Sequence, residues 1–129
     1  MTALTDAIKP ALAAEDLLVG VGKQPNGVTN KPFVVISPDA GRRYAVTMKA
    51  NDGLDETWTV HHYGRSPEAA SIAVEKFTAA VYGLWLNTVG GRVVQWPQQL
   101  TTVGLSLDRD AEPDLYDLVV QWRLSTSSA

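Results

Sequence analysis

The stretch Glu56-Thr-Trp-Thr-Val-His-His-Tyr-Gly-Arg-Ser-Pro-Glu-Ala-Ala70 decides the fold. Up to Tyr63 it alternates. Trp58, Val60 and His62 fall on one face; Thr57, Thr59, His61 and Tyr63 fall on the other. A period of two is the signature of a half-buried strand. Three residues later the period changes. Ser66 is placed to cap a helix, and Pro67 takes the first helical position, where its missing N–H costs nothing. Glu68 lies in the first turn, where the helix dipole favours negative charge. Ala70, Ala73, Val74, Phe77, Val81, Leu84 and Trp85 then recur at steps of three and four, forming one apolar stripe.

Downstream, Gly90-Gly91 ends this unit. Val93 to Trp96 and Leu100 to Leu107 are candidate strands separated by Pro97. Asp114-Leu-Tyr-Asp-Leu-Val-Val-Gln-Trp-Arg-Leu124 is a closing strand, with Tyr116, Leu118, Val120, Trp122 and Leu124 towards the core. Asp117, Val119, Gln121 and Arg123 take the opposite face. Ser125 to Ala129 is expected to be a frayed tail.

Upstream, a first helix is expected from Thr5, as its cap, to about Asp16, with Leu4, Ile8 and Leu12 on one stripe. Pro10 opposes it, because proline inside a helix costs roughly 3 kcal/mol. Either the helix kinks there or Pro10 lies near the start of a shorter one. Gly20 to Lys31 reads as an irregular loop, and Pro32 to Ser37 as a strand buried on both faces. Pro38 to Gly41 turns the chain. Arg42 to Lys49 reads as another strand with Tyr44, Val46 and Met48 on one face, and Asn51-Asp52-Gly53 as a turn.

The helix stripe needs an apolar surface, and the sheet face carrying Trp58, Val60, Val120 and Trp122 supplies one. The expectation is an α+β fold: a mixed or antiparallel β-sheet with two helices packed on one face, in a single domain over residues 1–129.

Composition narrows the function. Apolar residues make up 45 %, ordinary for a globular chain. A net charge of −3 speaks against a non-specific nucleic-acid binder, which carries a basic patch. The chain has no cysteine, which excludes disulfides, thiolate metal sites and cysteine nucleophiles. No stretch approaches the roughly 20 apolar residues of a membrane span, and Met1 to Asp6 does not read as a signal peptide.

The chemistry-bearing residues form no catalytic set. His61 and His62 are strand neighbours and point to opposite faces, so they cannot share a metal. Asp108, Asp110, Glu112 and Asp114 alternate, but without the glycine and twelfth-position glutamate of a calcium loop. Gly20-Val-Gly-Lys23 continues into Gln24-Pro25, not into the Ser or Thr of a phosphate loop. No catalytic, cofactor-binding or metal residue is expected. Trp58, Trp85 and Trp122 lie on expected core faces. Trp96, beside Pro97 and outside a stripe, is an interface candidate, tryptophan being enriched at binding hot spots.

The ordered set Trp58 to Ala70, the helix through Tyr82-Gly83, Val89-Gly-Gly-Arg-Val-Val94 and Asp114-Leu-Tyr-Asp-Leu-Val-Val120 resembles the tail terminator (tail completion) proteins of long-tailed bacteriophages. The resemblance covers Glu56 to Ser125, and residues 1–55 by order of elements only. It implies a non-enzymatic virion protein, assembled in the host cytoplasm. Such a protein forms a six-fold homo-oligomeric ring on the head-proximal end of the tail tube. The ring ends tube polymerisation and joins the head-completion or stopper protein. DNA passes through it without sequence-specific binding. The implied partners are the major tail tube protein and the head-completion protein, with no cofactor and no membrane.

A cyclic ring needs two different patches per subunit. Candidates for contact are Lys23 and Asn26 in the loop from Gly20 to Lys31, Asp52 and Asp55 in the loop from Lys49 to Asp55, and Asp108, Asp110 and Glu112 in the acidic loop. The Arg42-Arg43 pair, read as part of a turn, and Trp96 complete the set. The rival readings are another head–tail connector or stopper, a small ligand-binding or enzymatic α+β domain, and a nucleic-acid-binding module.

Overall fold

A computed structural model describes residues 3–15, 17–23, 32–39, 42–44, 53–108 and 115–128; for Arg42 to Tyr44, Val103, Asp108 and Ser128 it describes the backbone alone. The strand–helix junction is as the sequence implies. Strand β4 (Gly53–Gly64) turns directly into helix α2 (Pro67–Gly83), whose first free N–H groups are capped by Ser66. The Ala69 amide donates to Ser66 Oγ at 3.1 Å. Gly64 is where the turn becomes possible. A Cβ there would lie 2.5 Å from the Ala70 nitrogen and 2.7 Å from the Ala69 Cβ, so no other residue fits without moving backbone.

Ten elements are described: α1 (Ala3–Ala14), β1 (Leu18–Val21), β2 (Phe33–Pro38), β3 (Arg42–Tyr44), then β4 and α2, β5 (Thr88–Val89), β6 (Arg92–Val94), β7 (Gln98–Asp108) and β8 (Leu115–Ser128). The spine is the antiparallel pair β4–β8, in register from Gly53 opposite Ser127 to Gly64 opposite Tyr116. On the far side of β4, β2 pairs with Trp58 to Tyr63 and β3 with Gly53 to Asp55. Asp39 bridges the break: its amide donates to the Thr57 carbonyl and its carboxylate accepts from the Thr57 amide, both at 3.0 Å. On the far side of β8, β6 pairs with Thr126 to Ser128 and β7 with Leu115 to Arg123. The Gln95 amide, donating to the Ser125 carbonyl at 2.8 Å, carries the ladder across that gap. Strand β1 joins β2 in parallel, so the sheet is mixed.

Both helices cover one sheet face. Leu4, Ile8 and Leu12 of α1 and Ala73, Phe77 and Val81 of α2 bury against Val34, Ile36, Trp58, Val60, Val120, Trp122 and Leu124. This is the α+β architecture expected from the sequence. Helix α1 starts before Thr5, so Thr5 is a buried first-turn residue and not a cap. The helix runs through Pro10, which lies on its exposed side. There, the carbonyl one turn back can exchange its lost donor for water, so the proline is tolerated.

Four further expectations are corrected. Gly20 and Val21 belong to β1, because the apolar run Leu17 to Val21 finds a parallel partner in β2. Arg42 and Arg43 lie in a strand, as the reading of Arg42 to Lys49 has it, and not in the turn that their reading as a basic pair gave them. Gly53 to Asp55 are the start of β4 and not loop. Ser125 to Ser128 are not frayed: β8 continues through them because β4 flanks them on one side and β6 on the other. Gly90 and Gly91, with φ of +59° and +76°, form the two-residue turn between β5 and β6, a conformation that favours glycine at both positions.

Candidate interaction surface

No described cluster carries catalytic chemistry. Among the described residues no group of three or more His, Asp or Glu could hold a metal ion. The two histidines split as strand neighbours must. His62 is buried against Phe77, with ring centroids 5.4 Å apart, and its Nδ1 lies 2.8 Å from the Leu118 carbonyl. Burial pushes its pKa down to about 4. His61 faces the other side, where its Nδ1 lies 2.9 Å from Asp117 Oδ2 and its ring stacks near Tyr63.

That helix-free face is polar, and several of its groups pair across the strands, although Asp117 Oδ1 is buried without a partner among the described residues. The Gln121 amide donates to Thr59 Oγ1 at 3.4 Å, and the Ser125 hydroxyl donates to the Asp55 carboxylate. Asp55, a candidate contact residue, is therefore half-buried and engaged within the sheet, with Arg42 opposite it in register on β3. The rest of the charged candidate set does not converge in the described residues. Lys23 is exposed just after β1, and Asp108 closes β7 opposite Leu115. Arg43 pairs with Leu54. Asn26, Asp52, Asp110 and Glu112 lie outside the described residues, as do Val46, Met48 and the loop tips that carried the charge argument.

The exposed apolar residues form a different pattern. Trp85, Leu86, Trp96, Leu100 and Leu105 are 45 %, 62 %, 54 %, 42 % and 45 % exposed. Trp85, expected in the core, follows the end of α2 and leaves the stripe, because the helix stops at Gly83 and the next residues turn. It meets Trp96 edge to face, with ring centroids 4.8 Å apart. Trp96 lies over Tyr82 at 4.9 Å, and Tyr82 stands edge-on to the buried Trp122 at 5.5 Å. The outward-facing tryptophans are thus braced from the core. Leu86 beside them has φ of +64°, a left-handed conformation unfavourable for leucine. Its amide donates to the Val94 carbonyl at 2.8 Å, which fixes the turn.

Strand β7 carries two further exposed apolar residues, Leu100 and Leu105. It pairs with β8 and with no other described strand. From Gln98 to Leu107 it carries no charge and no proline, the devices that usually protect a sheet edge. Register shifts between Gln99 and Thr101 and between Val103 and Ser106 place Leu100 and Leu105 within its two irregular segments. Sequence reading had found Trp96 and the strand, but not Leu86, Leu100 or Leu105. An apolar residue on an edge strand looks like a core residue until the neighbours are known.

No protein-family model and no curated protein matches this sequence. Among solved structures, a chain described as "Virion of native gene transfer agent (GTA) particle" has the same fold. The TM-score is 0.57 at 14 % identity, over 97 % of this chain and 88 % of that one. At that identity the likeness is one of fold.

Proposed function

We propose that this chain is a virion structural protein that caps the head-proximal end of a phage-type tail tube as a six-fold ring. The ring ends tube growth and joins the head-completion protein. The observation that carries the reading is the shared fold with a virion chain along 97 % of this one. The order of sequence elements supports it, as do the exposed apolar residues Trp85, Leu86 and Trp96, which lie together beyond the end of α2. Large exposed apolar patches mark association surfaces.

A ring joins two different surfaces of each subunit, head to tail. Its lumen passes DNA without reading sequence, in keeping with a chain of net charge −3. No cofactor has a role in this activity.

Negative-stain imaging of the purified protein, alone and with its tail tube protein, tests the reading. Six-fold rings, or tubes capped at limited length, are expected. Unaltered tube growth with no ring overturns it. Binding to a portal or head connector and not to the tube end replaces it with a connector role.

A further inference from the structure

Strand β7 lies outside the layered part of the molecule. Every side chain described from Gln98 to Ser106 is exposed, so neither face of the strand is covered. The core packs the helices on β2, β4 and β8 and includes no described residue of β7. The sheet therefore overhangs its helix layer by one strand, held by backbone pairing to β8. Strands without a packed face are marginal in water. The outer edge of β7 has no partner among the described strands, and Gln98 to Leu107 carry no charge and no proline. Bare main-chain N–H and C=O groups on such an edge are a template for another strand, which is why edges are usually guarded. The occupant that fits is extended backbone, beside the exposed Leu100 and Leu105.

The opposite edge of the same sheet is the counterpart. Strand β1 ends the sheet beyond β2 and has no second partner among the described strands. Leu18 to Val21 are likewise uncharged and free of proline. This edge does not overhang; it is undercut. A hollow of about 280 Å³ lies between α1 and β1, lined by Lys9, Ala13, Leu17, Leu18 and Val19. Four of these five are apolar, and the space admits a leucine side chain. One edge thus projects past the helices and the other is recessed beside one. They lie at opposite ends of the sheet, so one subunit can engage a different neighbour through each. Neither strand brings a charge into the joint, so no ion is desolvated there by either one.

We propose that β7 of one subunit pairs with β1 of the next copy, continuing the sheet across the joint and seating Leu100 or Leu105 in the hollow beside α1. The proposal rests on the ring reading and supplies its joint. The strand directions fit. β1 runs parallel to β2, and β2, β4, β8 and β7 are antiparallel in succession, so β7 runs opposite to β1. Copies related by rotation about an axis along the strands keep those directions, which makes the new ladder antiparallel, the more stable kind. Two different edges meeting head to tail form a heterologous contact, which closes into a ring when the rotation allows.

Two variants, their mixture and amide exchange test it, on the full chain, alone and on tail-tube ends. Leu100→Lys with Leu105→Lys places charge on the β7 edge at two exposed positions. Ala13→Arg fills the hollow from an exposed position on α1. A melting curve for each checks that the fold is kept. Each variant alone is expected to lose rings, with self-association weakened about thirtyfold or more, as for loss of an interface hot spot. Mixed in equal amounts, they retain one intact β7 edge and one intact β1 edge, so sedimentation should show one-to-one pairs and no larger species. In wild-type rings, amides of β7 and β1 that exchange freely in the monomeric variants should become protected. Rings from either variant at wild-type strength, loss of rings without recovery of pairs, or rings without added protection in both strands would each overturn the joint and leave the ring reading in place. A wild-type chain that never self-associates, even on tube ends, would overturn both.

Discussion

The Nδ1 atom of His62 lies 2.8 Å from the carbonyl oxygen of Leu118, its residue opposite in register on the neighbouring strand. That one polar contact holds an imidazole that is otherwise enclosed, with Nε2 lacking a partner among the described residues. Desolvation favours the neutral ring and lowers the pKa from the ordinary 6.5 to about 4. The sign follows. Above pH 6.5 the ring is neutral in both states and stability does not depend on it. Between about 6.5 and 4 the unfolded chain binds a proton that the native chain refuses, so stability falls as pH falls. Below about 4 both states carry the proton and the loss levels off. A shift of this size corresponds to roughly 3 kcal/mol in total. Denaturant melts across this range should show the loss in the wild type. In His62→Gln, which keeps a donor but does not titrate, the part of the slope that comes from this imidazole should vanish, and the difference between the two melts measures it.

Gly64 and Gly83 bracket α2, and they predict opposite outcomes for the same substitution. At Gly64 an added methyl group meets the Ala70 nitrogen at 2.5 Å and the Ala69 carbonyl carbon at 2.8 Å, both backbone. Backbone cannot give as a flexible side chain can, so Gly64→Ala should cost about 2–3 kcal/mol. At Gly83, in open space at the helix end, Ala removes chain entropy from the unfolded state and should add up to about 1 kcal/mol. Chemical denaturation of both variants checks the pair. Equal effects would mean that the turn after β4 can relax.

The four tryptophans divide by partner and not by sequence context, and this shows what a linear reading can reach. The alternation around Trp58 and Trp122 and the stripe through Phe77 identify core faces because each pattern repeats along its own element. Trp85 obeys the same spacing but lies past Gly83, where the helix has ended, and periodicity says nothing about where an element stops. Strand β1 was hidden for a related reason. Four residues with an embedded glycine carry no period, and only the parallel partner β2 makes them a strand. The exposed surface of β7 was hidden because its exposure depends on having one neighbour and not two among the described strands.

Truncation should therefore separate the tryptophans cleanly. Trp122 is fully buried and in contact with Tyr82, so Trp122→Ala should cost about 3–5 kcal/mol by cavity formation. Trp96 is more than half exposed, and Trp96→Ala should cost less than about 1.5 kcal/mol, mainly its stacking on Tyr82 and Trp85. Thermal melts of the monomer decide this. A large loss for Trp96→Ala would make that residue part of the fold's support and weaken its assignment to a contact surface.

Leu86 gives the sharpest separation of folding from association. Its φ of +64° suits glycine, and 62 % of its surface is in water, so the fold gains little from a leucine there. Leu86→Gly should leave the Leu86–Val94 backbone hydrogen bond in place and relieve the strain, raising monomer stability or at worst leaving it level, within about 1 kcal/mol. The same change deletes the most exposed apolar side chain of the patch. A variant that melts no lower than the wild type yet assembles more weakly would place the value of Leu86 in association and not in folding. A variant that melts well below the wild type would instead show that the leucine packs within its own chain, and the strain at this position would then be repaid by the fold itself.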